Sequence, residues 1–447
     1  MNSVMQQLAE EYKDKKILIV GLGLQGGGLG MARFFAKLGA DVTVTDLRSP
    51  EVLQPSIDAL KEFRITYVLG KHQEEDFKNA QMIMIVPSMK WSNPYLQVAL
   101  KNNVPIHMEM EFFCLYAPSQ IIGVTGTRGK STTSTAVYTM LKAAGESVFL
   151  AGNVSGSSTI SLLETLTKDD IVVLELSSWA LSAFHRSKIS PPISVFTNIY
   201  PDHLNYYNTP EDYLHDKKAI YLYQKKGDSL VAGTALKEVI TKDAPESEVF
   251  FVNGSELQED HYLLKGKHNM DNLSLVYKIG EILSIPSTVV DEALSNFSGL
   301  PFRQEIVGEE DSVMFVNDTT STTPIATVTA LKRFTERPVV LILGGNAKGL
   351  PTNELVEEVG KTVYVVLLKG TMTDEIEETL QKKYPGKFSP VFDDLEKATQ
   401  HAYEYAQSLE EPACVLFSPA ATSFAMFNNE FHRGEFFNTT VKKIIHG

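Results

Sequence analysis

The stretch Ile121 to Leu141, IIGVTGTRGKSTTSTAVYTML, sets a short apolar strand before Gly123, Gly126 and Gly129, then Lys130-Ser131-Thr132, then a helical pattern. Such a passage aims several backbone N–H groups and the positive end of a helix at one point, which suits a phosphate. Lys130 adds a mobile positive charge, and Ser131 or Thr132 offers a hydroxyl to magnesium. The usual spacing G-x-x-x-x-G-K-[ST] is not met, because Val124 stands where its first glycine belongs. On this stretch alone, a glycine-rich turn opening an ordinary helix is the alternative.

Two further apolar runs end in residues suited to chemistry. DIVVLELSSW closes on Glu175, and ISVFTNIYPDH closes on Asp202-His203. In a parallel α/β sheet the carboxyl ends of the strands share one edge, where ligands bind. Glu175, His203 and the Lys130 loop are therefore expected to meet. The hydroxyl of Ser131 and the carboxylate of Glu175 make an oxygen set that magnesium prefers; His203 would be an unusual addition. Taken singly, His203 reads as a structural imidazole and Glu175 as a capping or paired carboxylate. The signal lies in three strand ends converging. Downstream, NTPEDYLHDKKAIYLY reads as a helix capped by Thr209, with Pro210 in its first turn and Asp212 completing a capping-box arrangement. Lys217 lies on that helix and by itself reads as a solvated charge.

The elements that must position these residues alternate almost throughout between β-branched runs and helical patterns, the mark of α/β domains with parallel sheets. A chain of 447 residues is too long for one ordinary core. KILIVGLG, DVTVTDLR and MIMIV belong to a first group, and IIGVTG, DIVVLELSS, ISVFTNIYP and SLVAG to a second. PVVLILGG, VYVVLLKG and ACVLFSPA belong to a third. The expectation is a Rossmann-like domain over 1–115, a central P-loop-type domain over 116–299 and a C-terminal Rossmann-like domain over 300–447. Gly21-Leu22-Gly23-Leu24-Gln25-Gly26 matches G-x-G-x-x-G after a strand, with Asp46 about 20 residues on. Naively this says nicotinamide dinucleotide; physically it says only that a diphosphate can approach a helix N-terminus.

The net charge of −14 argues against a nucleic-acid partner or an anionic membrane surface. Anionic substrates would need loop amides, particular lysines and arginines, and metal ions to overcome that field. The two cysteines, Cys114 and Cys414, make a disulfide framework unlikely to be the fold's support and fit a reducing compartment. KKILIVGLGLQGGGLGMARFF superficially mimics a signal peptide, but its glycines, Gln25 and Arg33 suit a strand–turn–helix. No apolar run approaches the roughly 18 residues of a membrane span. A cytoplasmic protein without membrane insertion is expected.

Taken together, the constellation resembles the Mur ligase family, the ATP-dependent amide ligases of peptidoglycan precursor synthesis, over essentially the whole chain. The family loop G-T-[KN]-G-K-[ST] falls on Gly126-Thr127-Arg128-Gly129-Lys130-Ser131. VLELSSWAL resembles the strand with the metal-binding glutamate, Glu175; DHLNYY resembles D-H-[LM]-D, which implies His203 as a second-metal ligand. YLHDKKAIY resembles the segment whose lysine is carbamylated, which implies that Lys217 is an anionic oxygen ligand rather than a solvated cation. HNMDN implies Asn269 and Asn272 near ATP; LPFRQE and VNDTT imply the same for Arg303 and Asp318. AGNVSG implies Asn153 at the UDP-sugar substrate, with Leu24, Gln25, Asp46 and Arg48 as the contacts of UDP in the first domain. Thr322, Lys348 in LGGNAKG and Ser423 in SPAATSFAMF imply an amino-acid site.

Within the family the likeness is to the branch that adds glutamate to UDP-N-acetylmuramoyl-L-alanine. It implies ATP, two magnesium ions, an acyl-phosphate intermediate and a monomer. Departures stand out: the family's S-K-A-T-N segment is here TTSTT, with Thr320 for the lysine, and Ala180 replaces a glutamine. Rival readings are a nicotinamide-dependent oxidoreductase, a non-catalytic nucleotide-binding regulator and a folylpolyglutamate synthase. The Lys130 loop, the Glu175–His203–Lys217 set and the UDP-style first domain weigh against them in turn.

Overall fold

Each long apolar run becomes a strand buried on both faces, as parallel sheets covered by helices require. The computed structural model describes residues 2–23, 26–153, 158–200, 206–423, 426–427 and 429–446. In the first sheet, β1 (Lys16–Val20), β2 (Asp41–Asp46), β3 (Ile65–Leu69), β4 (Met82–Ile85) and β5 (Ile106–Met108) run parallel in the order β3-β2-β1-β4-β5. The strand order reverses beside β1, so the Gly21 loop leaves the sheet at its switch point, where ligands lodge in open α/β sheets.

The second sheet repeats that logic. β6 (Gln120–Thr125), β7 (Val148–Gly152), β8 (Ile171–Glu175), β9 (Ile193–Phe196), β10 (Ser229–Gly233) and β11 (Glu248–Val252) are all parallel, in the order β11-β10-β9-β6-β8-β7. β6 lies between β8 and β9, with Val124 opposite Glu175 and Thr125 opposite Phe196. Helix Lys130–Ala143 follows β6 and buries Ala136, Val137, Met140 and Leu141 in the core on one face of this sheet.

The third sheet holds β12 (Glu305–Glu310), β13 (Val313–Asn317), β14 (Val339–Gly344), β15 (Tyr364–Leu368), β16 (Phe388–Phe392) and β17 (Ala413–Phe417) in the order β12-β13-β17-β14-β15-β16. It is mixed, because β12 runs antiparallel to β13. The cause is local: Asp311 and Ser312 both have positive φ, 48° and 63°, the backbone of a tight hairpin turn. The chain divides into two compact units, 1–297 with the first two sheets and 298–447 with the third. Among the described residues no helix is long and apolar enough to cross a membrane.

The first glycine loop departs from its fingerprint in one respect. Gly26 caps helix Gly27–Lys37 with φ 98° and has open space around it. The glycine that lets the helix lie against the strand end is Gly28, where a Cβ would come within 1.9 Å of the Gly21 carbonyl oxygen. Gly28→Ala should therefore destabilise the chain by about 2–3 kcal/mol through forced displacement of backbone. Gly26→Ala should cost about 1 kcal/mol through its left-handed backbone alone. Urea denaturation followed by circular dichroism separates the two; equal losses would contradict the assignment.

Candidate active site

The edge formed by the ends of β6, β8 and β9 is built by close approach. Gly126, with φ 151°, stands so near Thr197 that a Cβ would meet its hydroxyl at 1.9 Å. Gly129 caps helix Lys130–Ala143 in the left-handed region, φ 78°, and its added Cβ would meet Asn272 Oδ1 at 2.3 Å. The loop between them is pinned from the β9 side. The Thr127 amide donates to the Asn198 carbonyl at 3.0 Å and the Arg128 amide to Asn198 Oδ1 at 2.9 Å. Thr197 Oγ1 donates to the Arg128 carbonyl at 2.6 Å, and Thr127 Oγ1 lies 3.1 Å from the Tyr213 hydroxyl.

Three of the anticipated groups meet here. Lys130 Nζ donates to the carbonyls of Gly126 and Thr127, each at 3.1 Å. Lys217 Nζ donates to the same Gly126 carbonyl at 2.7 Å, and Lys217 is only 1 % exposed. Its helix, Pro210–Lys218, has Thr209 and Asp212 in the reciprocal capping box that the sequence suggests. Glu175 ends β8 beside Val124 and is likewise 1 % exposed. Its Oε1 accepts from Asn153 Nδ2 at 3.1 Å, whereas Oε2 has no hydrogen-bond partner among the described residues. A buried carboxylate oxygen left unpaired is costly unless a cation completes it. Ser131 and Thr132 lie in the first turn of the loop's helix, where backbone amides have no intrahelical partner. Asn269 and Asn272 are buried side by side, 3.4 Å apart, with Asn272 against Gly129. His203 lies outside the described residues, as do Leu24 and Gln25.

In the first sheet, Asp46 turns inward. Its Oδ2 accepts from the amides of Leu22 (2.9 Å) and Gly23 (3.2 Å), and its Oδ1 from the amide of Arg48 (2.9 Å). The carboxylate thus closes the glycine loop on itself, with the Arg48 guanidinium beside Gly23.

The 298–447 unit carries its own cluster. Lys348 Nζ donates to Thr322 Oγ1 at 2.8 Å, and the buried Ser423 hydroxyl finds no partner among the described residues. Thr422 and Asn346 form a bridge that joins the two segments. Thr320, in the place of a lysine, donates its hydroxyl to the Phe302 carbonyl at 2.9 Å and so fixes the turn next to exposed Arg303. Ala180 is buried on helix Ser178–Ser187. Sequence reasoning missed Asn198, Tyr213 and Arg433. Arg433 is 1 % exposed without a carboxylate ion-pair partner among the described residues; burial lowers its pKa to about 10. It donates to Thr319 Oγ1 and to the carbonyls of Thr319 and Ala421, stitching the two segments beneath the cluster. Nothing in EFHRGEFF marks that arginine as buried.

Comparison with known proteins places the chain in a family. Residues 124–245 match the Mur ligase middle domain, and residues 15–108 match the Mur ligase MurD-like N-terminal domain. The chain is 36 % identical to the UDP-N-acetylmuramoylalanine–D-glutamate ligase of Roseiflexus sp. (strain RS-1), over 96 % of this chain and 98 % of that one. The chain belongs to the Mur ligase family. The enzyme of the same name from Borreliella burgdorferi is 34 % identical over 98 % of this chain and 100 % of its own. Two solved structures share the fold at low identity. UDP-N-acetylmuramate-alanine ligase MurC of Thermotoga maritima has a TM-score of 0.54 at 20 % identity, covering 96 % of this chain and 99 % of that one. MurF ligase of Thermotoga maritima in complex with ADP has a TM-score of 0.52 at 17 % identity, covering 99 % and 100 %. As a Mur ligase the chain is ATP-dependent.

Asp318 yields a pH prediction. Burial pushes its carboxyl up to about 6, against the hydrogen bonds from Ser321, Ser418 and the Gln304 amide and the positive charge of Arg303, which pull it down. Its charged form is therefore the penalised one in the folded state. The penalty is absent below the unfolded value near pH 4, grows as pH rises, and is complete above about pH 6. Asp318→Asn should raise stability by on the order of 2 kcal/mol at pH 7, a gain that vanishes toward pH 4. Urea midpoints across that range check it; a pH-independent gain would contradict the origin given.

Proposed function

We propose that this chain joins D-glutamate to UDP-N-acetylmuramoylalanine at the expense of ATP, through an acyl phosphate, in cytoplasmic peptidoglycan precursor synthesis. The observation that carries the reading is the convergence of Lys130 and Lys217 on the Gly126 carbonyl, with the half-satisfied Glu175 at the neighbouring strand end. Three anionic reactants must be brought together by a chain of net charge −14, so positive charge has to be concentrated locally.

Lys130 and the first-turn amides of its helix bind the triphosphate; Asn269 and Asn272 border it, and Arg303 and Asp318 are assigned to the same nucleotide. The substrate carboxylate attacks the γ-phosphorus, and ADP leaves. The amine of glutamate, oriented by Thr322, Lys348 and Ser423, then attacks the activated carbonyl and phosphate departs. The first glycine loop, with Leu24, Gln25, Asp46 and Arg48, holds UDP, and Asn153 meets the sugar.

The orphaned Oε2 of Glu175 and the hydroxyl of Ser131 fit a hard cation. Glu175 and Ser131 would hold one magnesium ion, and Glu175, His203 and carbamylated Lys217 a second. Magnesium supplies charge neutralisation for the phosphates. Carbamylation joins the neutral Lys217 amine to carbon dioxide with loss of one proton, turning a buried cation into an anionic oxygen donor. The domain roles follow: 1–115 for UDP, 116–299 for ATP and 300–447 for the amino acid. The working unit of this reading is a monomer.

ADP release should require ATP, UDP-N-acetylmuramoyl-L-alanine and D-glutamate together, with each other amino acid far weaker; release with none of them sinks the reading. Lys217→Ala should lower the rate by about a thousandfold or more, with partial return in a short-chain carboxylate; undiminished turnover would refute its role. Glu175→Gln should abolish the rise in melting temperature that magnesium with ADP gives the unaltered chain.

A further inference from the structure

Glu109 is a buried carboxylate that the reaction leaves without a task. It opens helix Glu109–Tyr116 and is 7 % exposed. Its Oε1 accepts from the Ser158 hydroxyl at 2.5 Å and from the Ile160 amide at 3.1 Å, which caps the short turn Thr159–Glu164. Its Oε2 faces Gly27, the first residue of the helix after the first glycine loop; a Cβ there would lie 3.6 Å away. Gly30 of that helix approaches so closely that its Cβ would come within 2.0 Å of the Ser158 hydroxyl. Helix and turn therefore touch through glycine, with the carboxylate between them.

From the capped turn a hydrogen-bonded path leads to the second sheet. The Gly152 amide donates to Thr159 Oγ1 at 3.1 Å. The next residue, Asn153, gives its backbone N–H to the Glu175 carbonyl at 2.9 Å and its Nδ2 to Glu175 Oε1 at 3.1 Å. Packing alone would be served better by an apolar side chain at position 109, since a buried carboxylate is costly to desolvate.

We infer that Glu109 is a positioning residue: it sets the spacing between the diphosphate-type helix terminus of the first sheet and the loop that presents Asn153, so that one ligand is held at both ends. This rests on the substrate proposed above. A ligand that reaches only the first loop does not feel the spacing, whereas one that spans both does.

Calorimetric titration of the full chain without ATP, so that nothing reacts, compares UDP with UDP-N-acetylmuramoyl-L-alanine. In Glu109→Ala the complete compound should bind about tenfold more weakly while UDP stays within about twofold. Glu109→Gln keeps an oxygen that accepts from Ser158 and Ile160, and should recover most of the loss. Ser158→Ala should show the same selective weakening, about threefold, and carries the comparison if Glu109→Ala does not fold. In turnover, KM for the compound should follow these shifts and KM for ATP should not. Equal weakening of both ligands, no weakening of either, or a Gln variant as impaired as Ala would overturn the inference. Failure of the reaction itself looks different: the unaltered chain would bind the compound yet release no ADP.

Discussion

The carbonyl oxygen of Gly126 lies 2.7 Å from Lys217 Nζ and 3.1 Å from Lys130 Nζ. Two lysine amines drawn to one acceptor in a partly dry site repel each other when both are protonated, a repulsion that carbamylation of Lys217 would remove. The loop tolerates this because its other groups are already committed. Asn198 and Thr197 hold Thr127 and Arg128, and Gly126 and Gly129 adopt backbones and approaches that a side chain would block. The rest of the site depends on this arrangement. The shared carbonyl places both lysines at the switch point of the second sheet, two residues beyond the point where Val124 pairs with Glu175.

The parallel topology is what allows so few residues to do this. Because β8, β6 and β9 all point the same way, their carboxyl ends deliver a carboxylate, a glycine loop and the Thr197-Asn198 pair to one edge. Helix Pro210–Lys218 then only has to cross that edge for Lys217 to reach it. An overall excess of negative charge is compatible with anionic substrates on such a plan, since the attraction is built from a handful of short-range contacts rather than from the surface field.

Much of this was legible in the residues. Alternating β-branched runs gave the sheets, and the capping pattern Thr209-Pro210-x-Asp212 gave the helix that carries Lys217. The convergence of the Lys130 loop with Glu175 followed from strands ending on one edge. What escaped were residues whose partners are remote in sequence. Arg433 sits in a helix of unremarkable polarity, and its burial depends on Thr319 and Ala421. Asn198 and Tyr213 act through the glycine loop, which no local pattern near them encodes. The antiparallel β12 was missed because a two-residue turn at Asp311-Ser312 carries neither glycine nor asparagine.

The first glycine loop shows why a spacing motif fixes proximity but not partnership. An acidic residue about twenty positions after G-x-G-x-x-G ordinarily reads as a ribose contact. Here Asp46 spends its oxygens on the amides of Leu22, Gly23 and Arg48, so the loop's first donors are already satisfied by the protein itself. A diphosphate would find further donors in the N-terminal turn of helix Gly27–Lys37, where the close-packing glycine is Gly28 and lets this turn rest on the strand end. That close packing brings Gly27 to Glu109 and Gly30 to Ser158, so the same approach that rests the helix on the strand end also fastens it to the second sheet. The first glycine loop is thus not an autonomous module of the dinucleotide-binding kind. It is one end of a structure whose other end is Glu175.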